Sequence, residues 1–188
     1  NGLIDCNDND ANTFPGAGFN ESGFVMGDYT TYECVTDGDG DGYAAAQVVG
    51  CYTFDLADDY GDGWNSGMNI EVFEDGFSVG TATVTSDAAI NEVQSTEICV
   101  LDGSTVEFVF NEGSYASEAI GTIYDTDGTT VLGTFTGTGG TSSATQSLDY
   151  SDGVSYLDGE TFYTATVSGS TLVGGSDSDD SDASVHVQ

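Results

Sequence analysis

Thirty-three acidic side chains and not one Lys or Arg give the chain a formal charge of -33, and any fold must accommodate that polyanion. No ion pair between side chains is available except through the single His186. Self-repulsion at this density works against a compact state. Salt screens it only over roughly 8 Å at physiological strength. Positive charge therefore has to come from outside the chain, and divalent metal held by carboxylates is the simplest source, so Ca2+ is the expected cofactor. A solvated acidic surface of the halophile kind is the blander account, but here the acids also gather in loops with ligand spacing. The same composition excludes nucleic acid as a partner, since no cation meets a phosphate. It disfavours anionic membrane surfaces and leaves no site for trypsin-like proteases.

With 38% hydrophobic residues the chain can still close one core. Helical periodicity is absent. Apolar residues alternate with polar ones, and Gly, Asp and Asn interrupt them every 8–12 residues or so. The expected fold class is all-β: a jelly-roll-like antiparallel β-sandwich with extended N- and C-terminal arms. Residues 1–45 read as an acidic arm, 46–168 as the sandwich and 169–188 as an acidic tail. Strands are expected at 47–57, with Tyr52, Phe54 and Leu56 facing in, and around Met68, Ile70 and Val72. Others follow at 77–85, 95–100, 104–111 (Val106, Phe108 and Phe110 inward), 117–125, 129–136 and about 160–168. The Gly/Thr/Ser stretch 137–147 reads as a long hairpin loop or a linker. No apolar run is long enough to span a membrane.

Cys6, Cys34, Cys51 and Cys99 are an even set in a small acidic chain that begins at Asn1 without an initiator Met. That reads as a secreted protein with its signal already removed and two disulfides formed in an oxidising compartment. Three pairings are open; Cys6–Cys34 with Cys51–Cys99 is favoured because each closes a plausible local unit. Asn20-Glu21-Ser22 is an N-glycosylation sequon, which makes a glycoprotein the expectation in a eukaryotic host.

The clearest metal-type loop is DGDGDGY at 37–43. Asp37, Asp39 and Asp41 alternate, Gly42 allows the sharp turn, and the Tyr43 carbonyl falls at the seventh position, as in the front half of a calcium loop. The twelfth position is Val48 and not Glu, so this is no EF-hand; the loop resembles those of thrombospondin type 3 repeats and dockerins. Asp8 and Asp10, with Asn12, repeat the alternation more weakly. Asp125-Thr126-Asp127-Gly128 reads as a plain hairpin turn.

A second feature is CYTFDLADDYGDGWNSGMNIEVFEDG, from Cys51 to Gly76. It resembles the YGDGWN-motif β-sandwich modules of secreted surface proteins from aquatic bacteria and protists. In these, D-x-Y-G-D-G-W-N-G lies between two strands and a later segment reads E-x-x-x-x-I-x-D-x-x-G, here within SEAIGTIYDTDG at 117–128. The resemblance covers about 50–136 and departs at Ser66, where Gly is usual, and before Glu118, where a Trp is often found. It implies a secreted, jelly-roll-like module of adhesive or surface-layer proteins and fixes no ligand. From the residues themselves, Gly61 and Gly63 permit tight turns, and Asp59, Asp62 and Asn65 offer oxygens to a metal. Trp64 caps the edge of the core or, in the sharper reading, gives a glycan a stacking platform.

No enzyme is expected: no basic residue can hold an oxyanion, the one His lies in the tail, and no triad can be assembled. The leading expectation is a structural subunit of an extracellular filament or surface assembly, with itself as head-to-tail partner. Strand addition would join the copies, calcium would offset their repulsion, and 23–28 or 183–188 would donate the strand. A calcium-dependent glycan-binding or adhesion module, with Trp64, Tyr60 and Tyr43 near the metal, is the second expectation. An acidic mineral-associated matrix protein is the third.

Overall fold

The structure is a computed structural model that describes residues 13–15, 34–37, 39–40, 42–43, 46–140 and 145–174. The chain divides into two compact units, one of Val49–Thr171 and one of Asn1–Val48 with Leu172–Gln188.

In the smaller unit, β1 (Thr13–Pro15) pairs antiparallel with β2 (Cys34–Thr36), placing Phe14 opposite Val35. The stretch 1–45, read as an arm, thus contains strand pairing. Cys6, Asp8, Asp10, Asn20, Asp41, the segment 23–28 and the tail 175–188 lie outside the described residues. The Cys6–Cys34 bridge, the sequon and both candidate donor strands fall there too.

The larger unit is an all-β sandwich. Its strands are β3 (Ala46–Asp58), β4 (Asn69–Glu74), β5 (Phe77–Ala82), β6 (Gln94–Leu101), β7 (Thr105–Asn111), β8 (Ala119–Tyr124), β9 (Val131–Thr138), β10 (Ser147–Tyr150), β11 (Ser155–Tyr156) and β12 (Glu160–Thr166). One sheet runs β11-β10-β9-β8-β3, with β6 also on β3; the other runs β12-β7-β4-β5. The strands nest: β4 pairs with β5 and β7, while β3 pairs with β6 and β8. The chain crosses between the sheets from β5 to β6, β6 to β7 and β7 to β8, whereas β4–β5 and β8–β11 are hairpin connections within one sheet.

Alternation sets which face is buried. Tyr52, Phe54 and Leu56 of β3, Met68, Ile70 and Val72 around β4, and Val106, Phe108 and Phe110 of β7 are all within the core, as the pattern requires. Phe108 joins the two sheets. Its ring meets Tyr52 edge-on at 5.2 Å and Phe54 at 5.0 Å, and stacks on Tyr163 of its own sheet at 4.8 Å. Such pairs contribute about 0.5–1.5 kcal/mol each beyond their buried area.

Cys51 and Cys99 face one another across β3 and β6 and are joined as a disulfide. Of the two readings of 137–147, the hairpin loop is the one found: β9 continues to Thr138, and β10 begins at Ser147 as its antiparallel partner. β11 extends that meander where no strand was expected. Among the described residues no helix is long and apolar enough to cross a membrane.

Candidate metal centre

The long strand β3 carries its inward alternation one step past Leu56, to Asp58. Asp58 is fully buried. One of its carboxylate oxygens, Oδ1, accepts backbone N–H groups from Tyr60 at 3.1 Å, from Asp62 at 3.2 Å and from Gly61. This is an Asx-type turn, in which an aspartate replaces the strand ladder that has just ended. The other oxygen, Oδ2, is buried and has no hydrogen-bond partner.

The turn then folds back on its neighbours. Gly61 has φ +89, and a Cβ there would lie 2.8 Å from the Ile90 nitrogen. Gly63 has φ +81, and its Cβ would lie 2.5 Å from the Thr85 carbonyl oxygen. Both glycines of the YGDGWN stretch are therefore demanded twice, by left-handed backbone and by close approach.

β8 starts directly opposite, with Ala119 in register with Asp58. Glu118 precedes it, at the end of a short 3-10 turn over Ala116–Glu118. The Asp59 N–H donates to the Glu118 carbonyl at 2.9 Å. At the other end of the loop, Asn65 bridges to Ser114. The loop is thereby fastened to the segment before β8 at both ends, and Asp58, Asp62 and Glu118 bring one carboxylate oxygen each to within 4.8 Å of one another. Glu118 is half-buried, and its carboxyl titrates above the usual range because burial disfavours its charge and because Asp58, Asp62 and Asp59 stand nearby.

Of the three loop residues expected to meet a metal, only Asp62 belongs to this group. Asp59 points to solvent. Asn65 donates its amide to Asp62 Oδ1 at 2.8 Å and to the Gly63 carbonyl at 3.1 Å, so it braces the loop. Asp58 and Glu118 were not singled out as ligands, although alternation from Leu56 points Asp58 inward.

Trp64 corrects the glycan-stacking expectation. The indole is 6% exposed, packs edge-on to Phe135 at 6.0 Å and donates Nε1–H to the Ala57 carbonyl at 3.1 Å. Neither ring face is left for a sugar, so the core-edge reading holds.

In the DGDGDGY loop, Asp37 is buried and spends both oxygens on the turn itself, accepting Gly40 N–H at 2.8 Å and Gly42 N–H at 2.9 Å. Asp39 and Tyr43 are partly buried. The Asp125–Gly128 segment is the hairpin between β8 and β9. There Asp127 accepts from the Thr130 hydroxyl first and then from the N–H groups of Thr130 and Thr129, which hold its carboxyl down at about 2. Cys51, Glu97 and Cys99 also cluster, but the two sulfurs are bonded to each other.

The architecture and the acidic loop define an antiparallel β-sandwich with a carboxylate cluster at one turn. Comparison with protein-family models, with curated proteins and with solved structures finds no match.

Proposed function

We propose that the chain is a structural module of an extracellular assembly, in which copies join by strand addition and calcium relieves the repulsion between them. The observation that carries this reading is β5. It forms an edge of the four-stranded sheet, and no described strand pairs with its outer side. Its sequence FSVGTA holds no charge and no Pro, and Phe77 (77%) and Val79 (42%) are exposed. Edge strands are ordinarily blunted by charge, Pro, bulges or cover; β5 has a register shift at Val79 but neither charge nor Pro, and its outer side keeps the chemistry of an acceptor for an added strand. The disulfide and the 33 uncompensated acids agree with an oxidising, extracellular setting where free calcium is plentiful. The donor is a terminal segment of a second copy. A glycan-binding reading would rest on Tyr60, exposed beside the acidic loop, because Trp64 is enclosed.

Electron microscopy of the purified chain, with calcium and with chelator, tests this. Fibres are expected in calcium and should fray in chelator. Val79→Lys should abolish them while leaving the melting temperature within a few degrees of wild type. Dispersed particles under every condition, or fibres indifferent to Val79→Lys, would overturn strand addition at β5.

A further inference from the structure

We propose that Asp58, Asp62 and Glu118 hold one calcium ion that clasps the loop after β3 to the start of β8. This rests on the reading above only in taking calcium as the cation that the polyanion recruits. The site itself is independent of strand addition.

Three carboxylates side by side are not yet a site, since exposed acids gather without ligands. What sets this group apart is Asp58. Its Oδ1 is fixed by three backbone N–H groups, so the carboxylate cannot swing away to water. Its Oδ2 is buried and receives no donor, and the same carboxylate brings an oxygen to within 4.8 Å of those of Asp62 and Glu118. A buried carboxylate oxygen left bare is costly, and like charges close to the carboxylate add to that cost. The sequence has no Lys or Arg to meet it.

Calcium fits the spacing. Ca–O bonds run about 2.3–2.6 Å, so two oxygens on opposite sides of one ion lie up to about 5 Å apart. The three oxygens here lie within 4.8 Å of one another, and a small inward movement of the exposed Asp62 side chain brings all three to one ion. Asp62 is exposed, which leaves water free to complete the six to eight oxygens that calcium takes. The bound ion adds a side-chain bridge where the backbone already makes one, at the Asp59 N–H to Glu118 carbonyl bond. It links two segments of chain that are remote in sequence.

Trp64, the only Trp, lies within this loop and reports on it. The purified full chain is stripped with chelator, then titrated with calcium chloride while Trp64 emission, the melting temperature and the number of ions bound are followed. Wild type is expected to show a saturable change in emission and a higher melting temperature. Glu118→Gln and Asp62→Asn should each bind one ion fewer and lose the Trp64 response or shift it at least tenfold in calcium. The order of melting should also invert. Glu118→Gln melts above wild type in chelator, where it removes one of three like charges, and below it in calcium, where it removes a ligand. Wild-type emission that ignores calcium, or variants with wild-type stoichiometry and half-saturation, would overturn the site. Micrographs of the same samples separate the two proposals: fibres without a Trp64 response sink the clasp alone, and a Trp64 response in dispersed monomers sinks the assembly alone.

Discussion

Gly61 is the residue on which the acidic turn closes. Its N–H reaches the Asp58 carboxylate, its φ is +89, and Ile90 sits where a Cβ would go. Gly61→Ala should cost about 2 kcal/mol or more, from left-handed strain and from displacing the 90s segment. Chemical denaturation of the variant measures it, and a loss below ~0.5 kcal/mol would mean that the turn relaxes freely. Ser66 shows the same demand answered differently. It takes φ 59 in spite of its side chain, whose hydroxyl meets that of Ser114 at 2.8 Å. A Gly at this position would suit the backbone found here. At this scale the sequence was legible where a residue follows a period: Tyr52, Phe54 and Leu56 were placed by alternation. Asp58 obeys the same alternation but is charged, so it reads as loop until the ladder opposite, with Ala119 facing it, is known. Glu118 could be joined to it only through that long-range register.

At the scale of elements, β3 organises the sandwich because it pairs on both edges, with β6 along Val49–Leu56 and with β8 along Thr53–Asp58. The Cys51–Cys99 bridge fixes the first of these registers across a separation of 48 residues. Closing a loop of that length removes denatured-state entropy worth about 4 kcal/mol. Cys99 is exposed, so reductant should reach the bridge in the folded protein. Reduction, or Cys51→Ala with Cys99→Ala, is expected to lower the unfolding free energy by about that amount, seen as a lower denaturation midpoint, while the far-UV spectrum stays that of a β protein. An unchanged midpoint would show that the ladder alone sets the register. β10 and β11 escaped the sequence pattern for a physical reason. Gly137 brings its backbone against the Ala116 carbonyl, where a side chain would clash, so the Gly/Thr/Ser composition that suggests a linker is what lets β9 continue. Gln146 looks like a solvent residue but is buried, accepting the Ala116 N–H at 2.7 Å and donating to the Gly113 carbonyl.

For the molecule as a whole, the core carries its own upper pH limit. Burial, reinforced by Tyr163 and nearby aspartates, pushes the phenols of Tyr52 and Tyr150 up to about 12 from an ordinary value of 10.0. Below pH 10 folded and unfolded chains both keep these protons, and the stability tied to them is fully present. Between 10 and 12 the unfolded chain releases protons that the folded one retains, so stability falls as pH rises, by about 2–3 kcal/mol for each phenol. Denaturant midpoints measured from pH 9 to 12 should decline across that window. The tyrosinate absorbance that Tyr52→Phe or Tyr150→Phe removes from the wild-type curve should rise only as the fold is lost, while the signal of exposed rings such as Tyr60 and Tyr115 cancels in the difference. A difference curve already rising at pH 10 in the folded chain would show the two rings to be solvated. The covalent bridge has a further consequence under load. A force applied to residues on either side of the sandwich bypasses everything between Cys51 and Cys99, so that β4, β5 and the acidic loop are never drawn out. At ~3.5 Å per residue, the 48-residue span withholds about 170 Å of contour length, making the oxidised chain a short, stiff link and the reduced chain a longer, yielding one.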